Sequence, residues 1–190
     1  MAMRDLQSSE TNSLRGHLLV AHPNLREPNF AESVVLLSAH SAEDGALGVI
    51  VNRPTGRVLG DLKDDFRDHA LSRLPVFHGG PVSGNELLLA AWRWLEDEGM
   101  FQLFFGVSAE KMIELQDTWP DLEARAFAGY AGWSQGQLEG ELLQKSWIVA
   151  PLRQDYLGED KNWTWRTILT AENPDTWGFL KEMPEDPSWN

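Results

Sequence analysis

The stretch VVLLSAHSAEDGALGVIV (Val34–Val51) decides the fold class of this chain. Its first four residues are continuously apolar instead of alternating with polar ones, which is typical of a strand buried on both faces. The polar, glycine-containing segment AHSAEDG follows, and a second apolar run begins at Ala46. Two apolar runs joined by such a turn predict a β-hairpin, with strands over residues 33–39 and 46–51.

Other apolar runs of strand length lie on both sides of this hairpin. Apolar residues also recur from Leu59 to Leu74 at a spacing near that of an amphipathic helix. Ser108 stands where an N-cap is expected, and Pro120 marks the end of the helix that would follow. The predicted strands are His17–Ala21, Val76–His78, Leu87–Trp92, Phe101–Gly106, Ala126–Gly129 and Trp147–Pro151, and the predicted helices lie near residues 60–74, 108–119, 135–145 and 163–171.

This mixture of strands and helices predicts an α+β fold, with a mixed or largely antiparallel sheet flanked by helices in a single compact domain. A chain of 190 residues is long enough to bury a core without disulfides. No change in composition requires a second domain. We therefore predict one domain over residues 16–180, with flexible ends at residues 1–15 and 181–190.

The acidic composition limits the partners that this chain can bind. It has 16 Lys and Arg against 29 Asp and Glu, a formal net charge of −13, and a field of that sign repels nucleic-acid phosphates and anionic membranes. We therefore expect no direct nucleic-acid binding and no membrane association. The absence of cysteine excludes disulfides, thiol nucleophiles and thiolate metal sites. Because no segment resembles a signal peptide or a membrane span, the expected location is cytoplasmic.

The segment GYAGWSQGQLEGELLQKSW (Gly129–Trp147) is predicted to turn a strand into a helix. Ser134 precedes Gln137 by three residues, as in a capping box, in which each side chain bonds the other residue's free backbone N–H. Gly140 inside the helix costs about 1 kcal/mol relative to Ala, which predicts a close neighbour at that position.

The same segment supplies the first candidate site residues. Tyr130 and Trp133 flank the turn, where they could pack against the helix or line a surface pocket. We favour packing, because large aromatic side chains most often fill cores. Gln137 could meet a ligand at the helix N-terminus, where backbone amides favour anions, although Glu139 would oppose an anion there.

The NRP motif that follows the hairpin is the second candidate. Asn52 and Arg53 could present an amide and a guanidinium to an anionic ligand. Alternatively, the motif is a simple exit turn in which Pro54 stops strand pairing. We favour the exit turn.

The HGGPV motif is the third candidate. His78 is followed by Gly79 and Gly80, whose backbone amides could bind an anion. Alternatively, the small size of these glycines lets another segment cross closely. We favour the close crossing, and the motif lacks the Gly-Lys-Ser/Thr pattern of a phosphate-binding loop.

The sequence contains no recognisable catalytic or metal-binding motif. His22, His40 and His78 each lie near a predicted strand end, but spacing alone cannot establish that they converge, and no HExxH motif is present. No serine lies in a nucleophile elbow. We therefore predict no catalytic residue, no metal and no cofactor.

The segment WRWLEDEG (Trp92–Gly99) places two tryptophans on one face of an extended segment, beside an acidic turn. Exposed tryptophans often anchor protein interfaces. Buried ones would instead cover the sheet, and the sequence does not choose between these alternatives.

Four segments together resemble the AlgH/YqgE family, also called UPF0301 or DUF179. They are GHLLVAHPNLREPNFAESVVLLSAH, GALGVIVNRP, VFHGGPV and GYAGWSQGQLEGELLQKSWIVA, in the family's order and spacing. The resemblance implies a bacterial cytoplasmic protein with a compact α+β fold, whose sheet core can be barrel-like. It also implies a link to transcriptional control, through the family's association with alginate production in pseudomonads. The family's usual cysteine two residues before His40 is Ser38 here, so no thiol chemistry proposed for relatives can operate in this chain.

The resemblance and the missing catalytic motifs together predict a non-enzymatic regulatory or protein-interaction role. A protein partner is then expected, any effect on transcription is indirect, and the oligomeric state is left open. The alternative is a small-molecule-binding protein or enzyme, with a pocket formed by the NRP, HGGPV and GYAGW segments. In that case His78, Asn52, Arg53 and Trp133 should converge in one cleft.

Overall fold

The structure is a computed structural model, and it describes residues 13–153, 156 and 165–176. Within these ranges nine strands form one sheet. The strands are β1 (Leu18–Ala21), β2 (Val34–Ser41), β3 (Gly45–Ile50), β4 (Pro54–Val58), β5 (Pro75–His78), β6 (Val82–Leu95), β7 (Met100–Phe105), β8 (Glu123–Trp133) and β9 (Trp147–Ala150). The helices are α1 (Leu59–Leu62), α2 (Ala109–Thr118), α3 (Gln137–Leu143) and α4 (Trp165–Glu172), with 3-10 turns at Asp64–Phe66 and Pro174–Thr176.

The strands follow the order β4-β5-β8-β3-β2-β1-β9, and β6 joins the sheet by pairing with both β7 and β8. β5 runs parallel to β8, whereas the other pairs are antiparallel. The first half of β8 pairs with β6 and β5, and its last residues pair with β3. The sheet curls into a half-barrel, which confirms the prediction of a single α+β domain with a mixed sheet.

The predicted flexible ends, residues 1–15 and 181–190, lie almost wholly outside the described residues. The limits of the domain at residues 16 and 180 therefore stay predictions. Among the described residues, no helix combines the length and the apolar content needed to cross a bilayer.

The hairpin predicted from the opening stretch is confirmed, because β2 and β3 pair antiparallel from Val35 opposite Ile50 to Ser41 opposite Gly45. The four residues that begin β2, Val34–Leu37, are fully buried, as their unbroken apolar sequence predicts. A register shift falls between Leu37 and Ala39. The hydroxyl of Ser38 donates a hydrogen bond to the carbonyl of Leu47 there, at 3.1 Å.

The helix predicted near residues 108–119 is confirmed, since α2 begins after Ser108, whose Oγ accepts a hydrogen bond from the Lys111 N–H. The helix predicted near residues 60–74 is wrong. Only α1 and one 3-10 turn form, because the N–H groups of Leu59 and Gly60 donate to the carbonyls of Leu74 and Ser72. The segment therefore folds back on itself as a loop. Its buried apolar residues are Leu59, Leu71 and Leu74.

The predicted start of α3 is also corrected. The N-cap residue is Gly136, with φ of 74°, and not Ser134. One half of the predicted capping box does form: Gln137 Oε1 accepts a hydrogen bond from the Ser134 N–H. The predicted close neighbour of Gly140 is wrong, since a Cβ there would meet nothing within 4 Å.

The strand β4 is not among the strands predicted from the sequence. Pro54 does not stop pairing; it begins β4 and lies opposite Phe77 of β5. Proline is tolerated because β4 is the edge of the sheet path, where one side of the strand needs no ladder hydrogen bond.

Candidate functional site

The three predicted segments meet at the end of β5. The His78 N–H donates to the Arg53 carbonyl at 2.9 Å, and the Gly79 N–H donates to the Ala128 carbonyl at 2.9 Å. The Gly79 carbonyl in turn accepts from the Ile50 N–H at 2.8 Å. Backbone hydrogen bonds therefore bring the NRP, HGGPV and GYAGW segments together.

The glycines at this junction are required by close contacts between backbones. A Cβ on Gly79 would lie 2.2 Å from the Gly129 carbonyl oxygen, and a Cβ on Gly80 would lie 2.3 Å from the Tyr130 carbonyl carbon. Gly80 and Gly129 also have positive φ angles, of 151° and 72°, which L side chains rarely adopt. The close crossing predicted for HGGPV is confirmed, and main-chain atoms occupy the space where these segments meet.

The NRP side chains hold the loop that leads into β2. Asn52 Oδ1 accepts from the Val34 N–H at 2.8 Å, and its Nδ2 donates to the Glu32 carbonyl at 2.9 Å. Arg53 donates from Nη1 and Nη2 to the carbonyls of Asn29 and Ala31, both at 2.7 Å. Burial lowers the pKa of Arg53, although nearby carboxylates oppose that shift. These amide and guanidinium groups are thus bonded within the protein.

The GYAGW aromatics pack, as favoured from the sequence. Trp133 is 4% exposed and its ring stacks near Phe30, whose ring also meets Trp147 edge-on at 5.5 Å. The ring of Tyr130 is partly buried and packs against the same apolar core. Gln137 donates from Nε2 to Glu141 Oε1 at 3.0 Å.

Glu141 is the polar centre of this aromatic cluster. Its Oε2 accepts from the indole Nε1 of Trp133 at 2.9 Å and of Trp147 at 2.7 Å. One carboxylate therefore joins β8, α3 and β9. No local pattern in the sequence indicates this role, because the two indoles come from β8 and β9, which are separated by three strands in the sheet order.

Glu141→Ala is expected to lower the free energy of unfolding by about 3 kcal/mol, because it leaves two buried indole N–H groups without an acceptor, each costing about 1–3 kcal/mol. Urea unfolding monitored by tryptophan fluorescence measures the loss. Glu141→Gln keeps one acceptor oxygen and should lose about 1 kcal/mol. Equal losses in the two variants would contradict this role of the carboxylate.

The three histidines of the sequence analysis have separate surroundings. His40 Nδ1 accepts from the Leu14 N–H at 3.0 Å, so its Nε2 carries the proton and donates to Glu139 Oε1 at 3.0 Å. His22 Nδ1 accepts from the Asn24 N–H, and burial lowers the pKa of His22. His78 is exposed. Within the described residues, no three His, Cys, Asp or Glu are placed to hold a metal ion.

A buried cation lies in β8 that the sequence analysis did not single out. The guanidinium of Arg125 lies 4.7 Å from the ring centre of Phe77 and 4.8 Å from that of Trp92. Its Nη2 is 3.1 Å from Glu123 Oε2. Trp92 is 1% exposed, so this tryptophan covers the sheet instead of anchoring an interface. Burial lowers the pKa of Arg125, and Glu123 opposes that shift.

The comparisons with known proteins agree with the fold and the motifs. The AlgH-like family model, DUF179, matches residues 18–177. A UPF0301 protein of Streptomyces coelicolor is 37% identical, over 96% of this chain and 98% of the relative, and one of Methylococcus capsulatus is 38% identical, over 76% and 80%. The solution structure of AlgH from Pseudomonas aeruginosa has a TM-score of 0.65 at 24% identity, covering 92% of this chain and 96% of that one. A crystal structure from Corynebacterium diphtheriae has a TM-score of 0.63 at 22% identity, covering 82% and 85%.

The two structural likenesses bear on the fold, whereas the family model and the relatives bear on ancestry. The family model spans most of the chain. Each of the two relatives is more than one third identical to this chain over most of its own length. The resemblance carried by the four quoted motifs is therefore confirmed: this chain belongs to the AlgH-like family, DUF179 or UPF0301.

Proposed function

We propose that this chain is a regulatory protein that binds another protein without catalysing a reaction, and that any effect on transcription is indirect. The observation that carries the proposal is the outer edge of β7. This strand pairs with β6 from Met100 opposite Leu95 to Phe105 opposite Ala90. Among the described residues, no strand pairs with its other edge.

The composition of β7 suits the addition of a strand from a partner. Five of the six residues in MFQLFF are apolar, and an unpaired edge offers backbone N–H and C=O groups to an extended segment. Natural edge strands are usually protected by charges or prolines. β7 itself has neither, which favours a role of this edge in binding a strand from a partner.

The charge beside β7 indicates the chemistry of the partner. The turn between β6 and β7 contains Glu96, Asp97 and Glu98, and Met100 next to it is 52% exposed. An extended segment with Lys or Arg at this end would meet opposite charge, which increases association rates and fixes orientation. The net charge of −13 adds to this attraction at long range.

The absence of catalysis is supported by the junction of the three predicted segments. Asn52 and Arg53 are used to hold the loop before β2. Trp133 is bonded to Glu141 within the aromatic cluster. These groups are therefore committed to internal contacts, which favours the binding role over the alternative of an enzyme pocket at the NRP, HGGPV and GYAGW segments.

Met100→Lys is expected to weaken partner binding at least tenfold, because it places a positive charge on the strand edge and beside the acidic turn. The partner would be captured from the native cytosol, purified, and titrated against each variant by calorimetry. Leu143→Lys is the matched control: it adds the same charge at a leucine that is 86% exposed on α3 and should bind like the wild type.

Two outcomes would contradict the proposal. Equal binding by the wild type and Met100→Lys, with both folded, would remove β7 as the binding edge. A gel shift with DNA at about 50 mM salt that disappears at higher salt would show direct nucleic-acid binding. An effect of this protein on transcription could then be direct, against the proposal.

A further inference from the structure

The segment between β4 and β5 forms a cleft that is lined by arginines. Three arginines, Arg57, Arg67 and Arg73, line a cleft of about 790 Å³ that also contains one carboxylate, that of Asp61. A volume of this size falls in the range of small-molecule sites. The lining of this cleft therefore carries a net positive charge in a chain of net charge −13, although Asp64, Asp65 and Asp68 lie in the same segment.

The fold-back of this segment creates the cleft. The N–H groups of Leu59 and Gly60 donate to the carbonyls of Leu74 and Ser72 at 2.9 Å each, which brings Arg73 beside the end of β4. A Cβ on Gly60 would lie 3.1 Å from Ser72 Cβ, so the glycine allows this approach. In a continuous helix, the side chains of residues 67 and 73 would lie on different faces. They are six positions apart, which places them about 240° apart around the helix axis.

Two of the arginines have their charge available to a ligand. Among the described residues, Arg57 and Arg73 form no ion pair, and both are exposed. Arg67 lies 2.5 Å from Asp64, but both side chains are largely exposed, and surface pairs of this kind contribute little stability. A ligand can therefore compete for Arg67 at small cost.

We propose that this cleft binds a small molecule that carries a phosphate or diphosphate group. Guanidinium groups bind phosphate oxygens through pairs of parallel N–H···O bonds, and three of them match the several oxygens and multiple charge of such a group. The hydroxyl of Ser72, which also lines the cleft, offers a further donor. The site is separate from the β7 edge and from the junction of the HGGPV and GYAGW segments.

The test is a calorimetric titration of pyrophosphate at low ionic strength, where exposed charges are least screened. Each of Arg57→Gln and Arg73→Gln should weaken binding about tenfold, the effect of losing a charge-assisted pair. Arg26→Gln, an exposed arginine outside the cleft lining, removes the same charge and should bind like the wild type. Asp61→Asn should bind several-fold more tightly, because it removes the carboxylate that faces the ligand.

Thermal unfolding of each variant checks that it remains folded. The proposal is overturned if the wild type does not bind pyrophosphate, or if Arg26→Gln weakens binding as much as the cleft variants do. Citrate, titrated in parallel, carries comparable charge on carboxylates, and binding of citrate as tight as that of pyrophosphate would overturn the choice of a phosphate group.

Discussion

Gly79→Ala is expected to lower the free energy of unfolding by about 4 kcal/mol or more, a large part of the roughly 5–15 kcal/mol that is typical of a folded domain. The added Cβ would lie 2.2 Å from the Gly129 carbonyl oxygen and 2.9 Å from Phe127 Cβ. Neither neighbour can move alone, because Phe127 is fully buried and both residues belong to the central strand β8. Urea unfolding, or the soluble yield if the variant does not fold, measures the loss.

Gly140→Ala is the matched control, since it adds the same methyl group to another glycine of the same chain. Nothing lies within 4 Å of the Cβ position at Gly140 in α3, so alanine should raise the free energy of unfolding by about 0.5–1 kcal/mol through its higher helix propensity. A loss below about 1 kcal/mol for Gly79→Ala would show that the crossing of β5 and β8 relaxes easily, against the contacts described for it.

The sequence predicts those elements that are determined by residues close together in the chain. The hairpin of β2 and β3 follows from two apolar runs and one polar turn, and α2 follows from Ser108 acting as N-cap. The family relationship also follows from contiguous motifs. These features need no knowledge of which distant segments meet, and the structure reproduces them.

The remaining features depend on contacts between distant segments. The apolar spacing from Leu59 to Leu74 fits a helix, yet hydrogen bonds at the two ends of the segment close it into a loop, and the arginine-lined cleft exists only because of that closure. In the same way, Glu141 acquires its role when two tryptophans from β8 and β9 reach the same carboxylate. Neither arrangement has a periodic signal along the chain.

Arg125 is the clearest case of a residue whose role is set by strand pairing. Its guanidinium lies between the rings of Phe77 and Trp92, which come from β5 and β6, the strands on either side of β8. The side chain is 11% exposed, and its charge is offset by Glu123 two residues earlier in the same strand. A buried cation normally destabilises a fold unless it is paired. Here one carboxylate and two aromatic faces together stabilise the buried charge.

Arg125→Ala should therefore lower the free energy of unfolding by about 3 kcal/mol, because it empties the space between two rings and leaves the Glu123 carboxylate without its cation. Arg125→Met fills most of the same volume but still leaves the Glu123 carboxylate without its cation, so it should lose about 2 kcal/mol, less than the Ala variant, because no cavity forms. Urea unfolding gives both values, and a shift in the tryptophan emission of the folded Ala variant would report the change beside Trp92. If the two variants lost the same free energy, the charge of Arg125 and not its packing would hold the three strands together, and Arg125→Lys would then retain most of the stability.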